Sequence, residues 1–158
     1  MDEKRELLRH AVATLAYRAA KVLGGMPPAC ATFRVGNTSR TPVEILAHVG
    51  DLLDWTLSLA KGEQKWKDSA PRAWDGEVAR FFEALRSLDA YLASSLPLGF
   101  PPGRLFQGPI ADALAHVGQI AMLRRCAGAP VRAENYFTAD IVIGRVGPWQ
   151  SPPSKEFG

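Results

Sequence analysis

Apolar residues return at three- and four-residue intervals in four separate stretches, which is the repeat of one face of a helix. The first covers Glu3 to Leu23, with Leu7, Leu8, Ala11, Val12, Leu15, Ala19 and Val22 in phase, and "GGMPPA" closes it. The second, "TPVEILAHVGDLLDWTLSLAKG", opens with Thr41 as N-cap, Pro42 in the first helical position and Glu44 completing a capping box. Gly62 stops it. The third, "WDGEVARFFEALRSLDAYLASS", takes Asp75 as its cap and turns Val78, Phe81, Phe82, Leu85, Leu88 and Leu92 inward. After the break "LPLGFPPG", the fourth runs from Ile110 to Arg125 and closes near Gly128 and Pro130. No stretch alternates convincingly as a strand. The pattern predicts an all-α chain, a four-helix bundle over residues 1–133.

Residues 134–158 form a different kind of segment. "YFTADIVIG" fits a short helix or a strand equally, and the remainder is rich in Pro and Gly. Its apolar residues, from Tyr136 and Phe137 to Trp149 and Phe157, need a surface to cover. The expectation is an irregular C-terminal extension pinned to the bundle within one domain, near a pocket mouth or a dimer contact.

The polar interruptions of the helical stripes carry the chemistry. In "IADALAHVGQIAMLRR", Asp112, His116 and Gln119 fall three and four apart, on one face. On the second helix, Glu44, Asp51, Asp54, Ser58 and Lys61 share the side expected to face solvent. His48 lies instead with Ile45, Leu52, Trp55 and Leu59. An inward histidine needs a partner, because an unpaired buried imidazole is costly. One partner is a hydrogen bond within the core; the other is a metal ion. Likewise Asp112, His116 and Gln119 read either as a solvated stripe or as ligands. Together, one inward His and an Asp-x-x-x-His pair supply three donors suited to a divalent ion, and bundles build such sites from facing helices. Three protein ligands leave a position open to water or substrate.

Composition narrows the remaining classes. The 158-residue chain is 47% hydrophobic and 22% charged, a balance that can bury a core and argues against disorder. No apolar run reaches membrane-spanning length, and "MDEKRELLRH" holds no signal core, so the expected location is cytoplasmic and free of membrane. The net charge of +3 is scattered rather than clustered, which disfavours nucleic acid as a partner. Cys30 and Cys126, without CxxC spacing, read as reduced thiols. His10 shares the polar side of the first helix with Glu3, Glu6, Thr14 and Lys21, so it is expected exposed. Arg124 and Arg125 read as positive charges flanking a helix C-terminus.

"TPVEILAHVGDLLDW", followed much later by "ADALAHVGQIAMLRRCAGAP", resembles the DinB-like (YfiT-type) superfamily of metal-binding four-helix bundles. Its members carry one His on the second helix. A His-x-x-x-His or acid-x-x-x-His pair lies on the last bundle helix, ahead of a triplet such as "RGQ". The resemblance spans Glu3 to Pro130 and puts His48, Asp112 and His116 at the three ligand positions. The chain departs from it in having Asp112 where many members have His, and Val117 where Arg is frequent.

The resemblance implies a divalent ion, with zinc the first candidate and nickel, iron or manganese the others. It also implies a low-molecular-weight thiol acting with a small electrophile, in a thiol-dependent transferase or isomerase; a homodimer is the expected assembly. Trp55, Gln119, Tyr136 and Trp149 are the expected pocket-lining residues. The alternative is a non-catalytic metal-containing binding or stress-response protein.

Overall fold

The computed structural model describes residues 2–158, and four long helices dominate it. Helix α1 (Glu3–Leu23) is followed by the single turn α2 (Pro28–Ala31), then α3 (Pro42–Ala60), α4 (Trp74–Ala93), the turn α5 (Pro102–Leu105) and α6 (Ala111–Cys126). Local chemistry accounts for the starts of α1 and α3. Asp2 caps α1 by accepting from the Lys4 N–H. At α3 the full capping box forms: Thr41 Oγ1 accepts from Glu44 N at 3.3 Å, and Glu44 Oε2 accepts from Thr41 N at 2.7 Å.

Two ends differ from expectation. Helix α4 starts after Ala73 with no side-chain cap, and Asp75 lies inside the first turn, where its charge favours the helix dipole without closing an N–H. Glu77 instead ties down the chain ahead of the helix, accepting from the Arg72 N–H at 2.8 Å. Upstream of α6, the chain stays helical from Pro102 through a π turn at Phe106–Ile110 that contains Pro109. Proline inside a helix lacks a donor and crowds the preceding turn, and the wider π turn absorbs that misfit.

The long helices form a ring. Helix α1 packs on α4 and α6, and α3 packs on the same two, so α1 and α3 are diagonal. Inside the ring Leu15, Leu46, Leu53, Phe81, Leu85, Leu88 and Ile120 are fully buried. Each contributes about 1.5–3 kcal/mol of apolar burial, the term that holds the helices in this arrangement. At one end the last turn of α3 meets the α4–α5 connection so closely that a Cβ on Gly99 would lie 2.1 Å from the Gly62 backbone. Gly62 itself is left-handed, at φ +84°.

The outer face of α3 is not the solvent face its polar residues suggest. Asp51 and Ser58 are buried, because the chain between α3 and α4 folds back over them. Asp51 accepts from Ser69 N at 2.9 Å and pairs with Arg80 of α4, and Ser58 Oγ accepts from Lys65 N at 3.2 Å. A helical wheel separates polar from apolar positions but cannot show that a loop will supply the polar ones with partners.

The extension is pinned, and to α1. Short strands β1 (Ala133–Glu134) and β2 (Glu156–Phe157) pair antiparallel and close it into a loop, and Tyr136–Thr138 forms a 3₁₀ turn rather than a longer helix or strand. Glu134 is buried and accepts from the Tyr17 hydroxyl and from Lys21 Nζ, which also donates to Glu156 at 3.0 Å. Burial and the Glu134 carboxylate raise the Tyr17 pKa, so the phenol stays protonated as a donor. Tyr136 packs edge-on against Tyr17, with the Arg18 guanidinium 4.0 Å from its ring centre. Truncation after Ala133 is therefore expected to lower Tm by several degrees while leaving metal affinity unchanged. Calorimetry and metal titration of the truncated chain check this, and a weakened metal site would contradict the placement.

Candidate metal centre

Because α3 and α6 are neighbours in the ring, His48 on one and Asp112 with His116 on the other meet across their seam. The i,i+4 spacing stacks Asp112 and His116 on one side of α6. The ligand-capable atoms of all three residues lie within 4.8 Å of one another. Asp112 Oδ2 is 3.9 Å from His48 Nε2, and its Oδ1 is 3.5 Å from His116 Nε2. These separations are too long for hydrogen bonds. They are close to the ~3.4 Å edge of a tetrahedron with ~2.1 Å metal–ligand bonds. The two imidazole rings stand at 88° with centres 4.8 Å apart, so they do not stack. This His/Asp/His group could hold a metal ion.

Other roles for these side chains are weakly supported. Among the described residues neither His48 nor Asp112 has a hydrogen-bond partner, so a core hydrogen bond does not account for His48. The His48 side chain keeps 24% of its exposure, short of the full burial expected, and the ring faces α6. Asp112 is half exposed, at 50%. His10 is exposed, as its wheel position predicts.

His116 is held by a second contact. Its Nδ1 lies 2.8 Å from Gln119 Oε1. An amide oxygen only accepts, so Nδ1 is the donor in this contact and Nε2 is the nitrogen that faces Asp112. Gln119 thus fixes the tautomer a metal requires, the usual service of a group one step outside the ligands.

Burial lowers the His48 pKa, and nearby His116 and Arg40 lower it further against the opposing pull of Asp112 and Asp51. His48 is therefore neutral, the ligating form, at pH 7. The sign for stability follows. The unfolded chain takes up the His48 proton before the folded chain does, so stability present above the ordinary histidine value of about 6.5 is lost as pH falls below it. Metal affinity should fall over the same range, because protons compete for the ligands. Denaturant titrations and metal titrations at pH 7.5 and about 5.5 check both. Flat profiles would contradict the environment assigned to His48.

Open space flanks the triad on two sides. One cleft of about 620 Å³ is lined by Arg40, Ile45, His48, His116, Gln119 and Met122. On the Asp112 side a second runs past Leu52 and Trp55 to the π turn at Gln107 and Gly108. Trp55 and Gln119 line these clefts. Tyr136 and Trp149 do not. Tyr136 is bound to α1, Trp149 is 90% exposed, and no residue of the extension lines either cleft. The structure adds two residues. Trp66, from the α3–α4 connection, packs edge-on against both His48 and Trp55, with ring centres 5.7 Å away in each case. Arg40 reaches the cleft from just ahead of the α3 cap. For Arg40 a signal existed, eight positions before His48 on a rigidly capped helix; for Trp66 there was none, since the loop's path is not written in any period. Cys126 is exposed, Cys30 is buried, and both are free thiols away from the triad.

Fold and site together define a predominantly helical bundle with a candidate divalent-metal triad across one helix seam. No helix among the described residues is long and apolar enough to cross a membrane. No family model, curated protein or solved structure matches the chain.

Proposed function

We propose that the chain is a divalent-metal protein of DinB-like type, with His48, Asp112 and His116 as ligands and zinc as the ion. We further propose that it acts with a low-molecular-weight thiol on a small electrophile. The observation that carries the reading is the convergence of two imidazoles and a carboxylate from facing helices, two of the three without any other partner. Two nitrogens and one oxygen are a donor set that zinc accepts, and a three-ligand set is that of catalytic rather than closed structural sites.

When bound, such an ion supplies a Lewis-acidic position at which a thiol loses its proton near neutral pH. The chain's own residues do the rest. Gln119 holds the His116 tautomer, Asp112 offsets the positive charge, and Trp66 packs edge-on against both His48 and Trp55 at the edge of the site.

A second reading, a non-catalytic metal-containing binding protein, is favoured by one observation. Apart from the ligands themselves, the cleft walls carry no Asp, Glu, Lys, Tyr, Cys or further His to act as a general acid or base. The two readings separate in one experiment on untagged protein purified without chelators. Elemental analysis is expected to find one divalent ion per chain, absent from His116→Ala. Metal-dependent consumption of an electrophile by added thiols supports the transferase reading. A full metal complement with no turnover across a panel of thiols and electrophiles selects the binding protein, and no metal at all rejects both.

A further inference from the structure

We propose that the cleft beside His48 and His116 binds a small organic thiol that carries a carboxylate, with Arg40 as the carboxylate anchor. This rests on the metal and thiol reading above, and it names the class of thiol.

The argument starts from an unpaired cation. Among the described residues the Arg40 guanidinium has no hydrogen-bond or ion-pair partner, although its neighbour Arg34 is engaged by Glu44 through both carboxylate oxygens. Arg80 of α4 is shared by Asp51 and Asp54 of α3. Arg40 is the only Arg or Lys among the residues lining this cleft, and no carboxylate lines it. Its position is set by the α3 capping box, since it directly precedes Thr41, and His48 follows on the same rigid helix.

Besides the cation and the imidazoles the cleft is lined by apolar Ile45, Met122 and Leu123 and by Gln119, which is engaged with His116. Ser39 at the rim is already satisfied: its hydroxyl accepts from Val35 N and Gly36 N and donates to the Gly36 carbonyl. A ligand that fits this set of surfaces combines a donor for the ion, a short aliphatic stem and an anion for Arg40. The planar guanidinium fork matches a carboxylate in two parallel hydrogen bonds. Inorganic anions lack the stem, and neutral thiols leave Arg40 as it is.

The test uses the full chain loaded with cobalt(II), whose absorption reports sulfur coordination directly and requires no turnover. Mercaptoacetate and mercaptopropionate are titrated against their amides, in wild type and in Arg40→Gln. The expected result is a preference of about tenfold or more for the carboxylates in wild type, shrinking with added salt. In Arg40→Gln the preference disappears while cobalt and amide affinities stay unchanged. Equal affinities in wild type, or a preference that survives Arg40→Gln, overturn this proposal and leave the metal site standing. Failure of cobalt to bind, or binding indifferent to His116→Ala, overturns the metal reading and the proposal with it.

Discussion

His116→Ala is expected to weaken divalent-metal binding by more than ~100-fold while the helical circular dichroism persists. The scale comes from comparison within the site. Loss of a group that merely orients a ligand costs about 10–100-fold in metal affinity, which is the range expected for Gln119→Ala. Removing the ligand itself exceeds that. The helices persist because the triad lies at the α3–α6 seam with its side chains 15–50% exposed, outside the buried core. The order of effect, His116→Ala well beyond Gln119→Ala, is itself diagnostic. Equal losses would mean that Gln119 ligates or that His116 does not. Collapse of the helical signal in His116→Ala would identify the ion as the element that holds α3 to α6.

Arg124→Met is expected to destabilise the fold by about 3 kcal/mol, a fall in Tm of roughly 6–12 °C for a chain of this size. Arg124 is buried, and its guanidinium donates to the carbonyls of Val22 (2.8 Å), Gly24 (2.7 Å), Gly25 (3.2 Å) and Ala129 (2.7 Å). It therefore ties the end of α1 to the end of α6. Burial lowers its pKa, yet a guanidinium remains charged, and no carboxylate compensates it. The carbonyl ends of two helices do so instead. Methionine keeps most of the stem's packing and leaves four acceptors to find water, so the loss measures the polar clamp rather than a cavity. A loss under ~1 kcal/mol would mean that those carbonyls are rehydrated at little cost. Metal binding should be unaffected, because the clamp lies at the far end of α6 from Asp112.

The same residue marks where local reading ends. Arg124 and Arg125 are both basic residues in the last turn of a helix, alike in propensity and in charge. One is a buried clamp and the other is exposed, and only the approach of the α1 end distinguishes them. Asp51 and Asp54 divide in the same way: an identical side chain is buried or exposed according to where a loop lies.

Information carried within a few residues was legible in the sequence. The bounds of α1, the capping box of α3, the helical phase of Phe81, Leu85 and Leu88, and the stacking of Asp112 with His116 all follow from the 3.6-residue period and from side chains that reach their own backbone. The inward bias of His48 was readable for the same reason. What the period cannot encode is the order of helices around the ring, because any amphipathic helix can bury its stripe against any other. That order puts α3 beside α6, and so turns three separate polar interruptions into one cluster. It likewise brings Arg40 and Trp66 to the cluster's edges and carries the extension away to α1. Those placements depend on contacts between residues distant in sequence, and the free energy that selects them appears only when the whole core has formed.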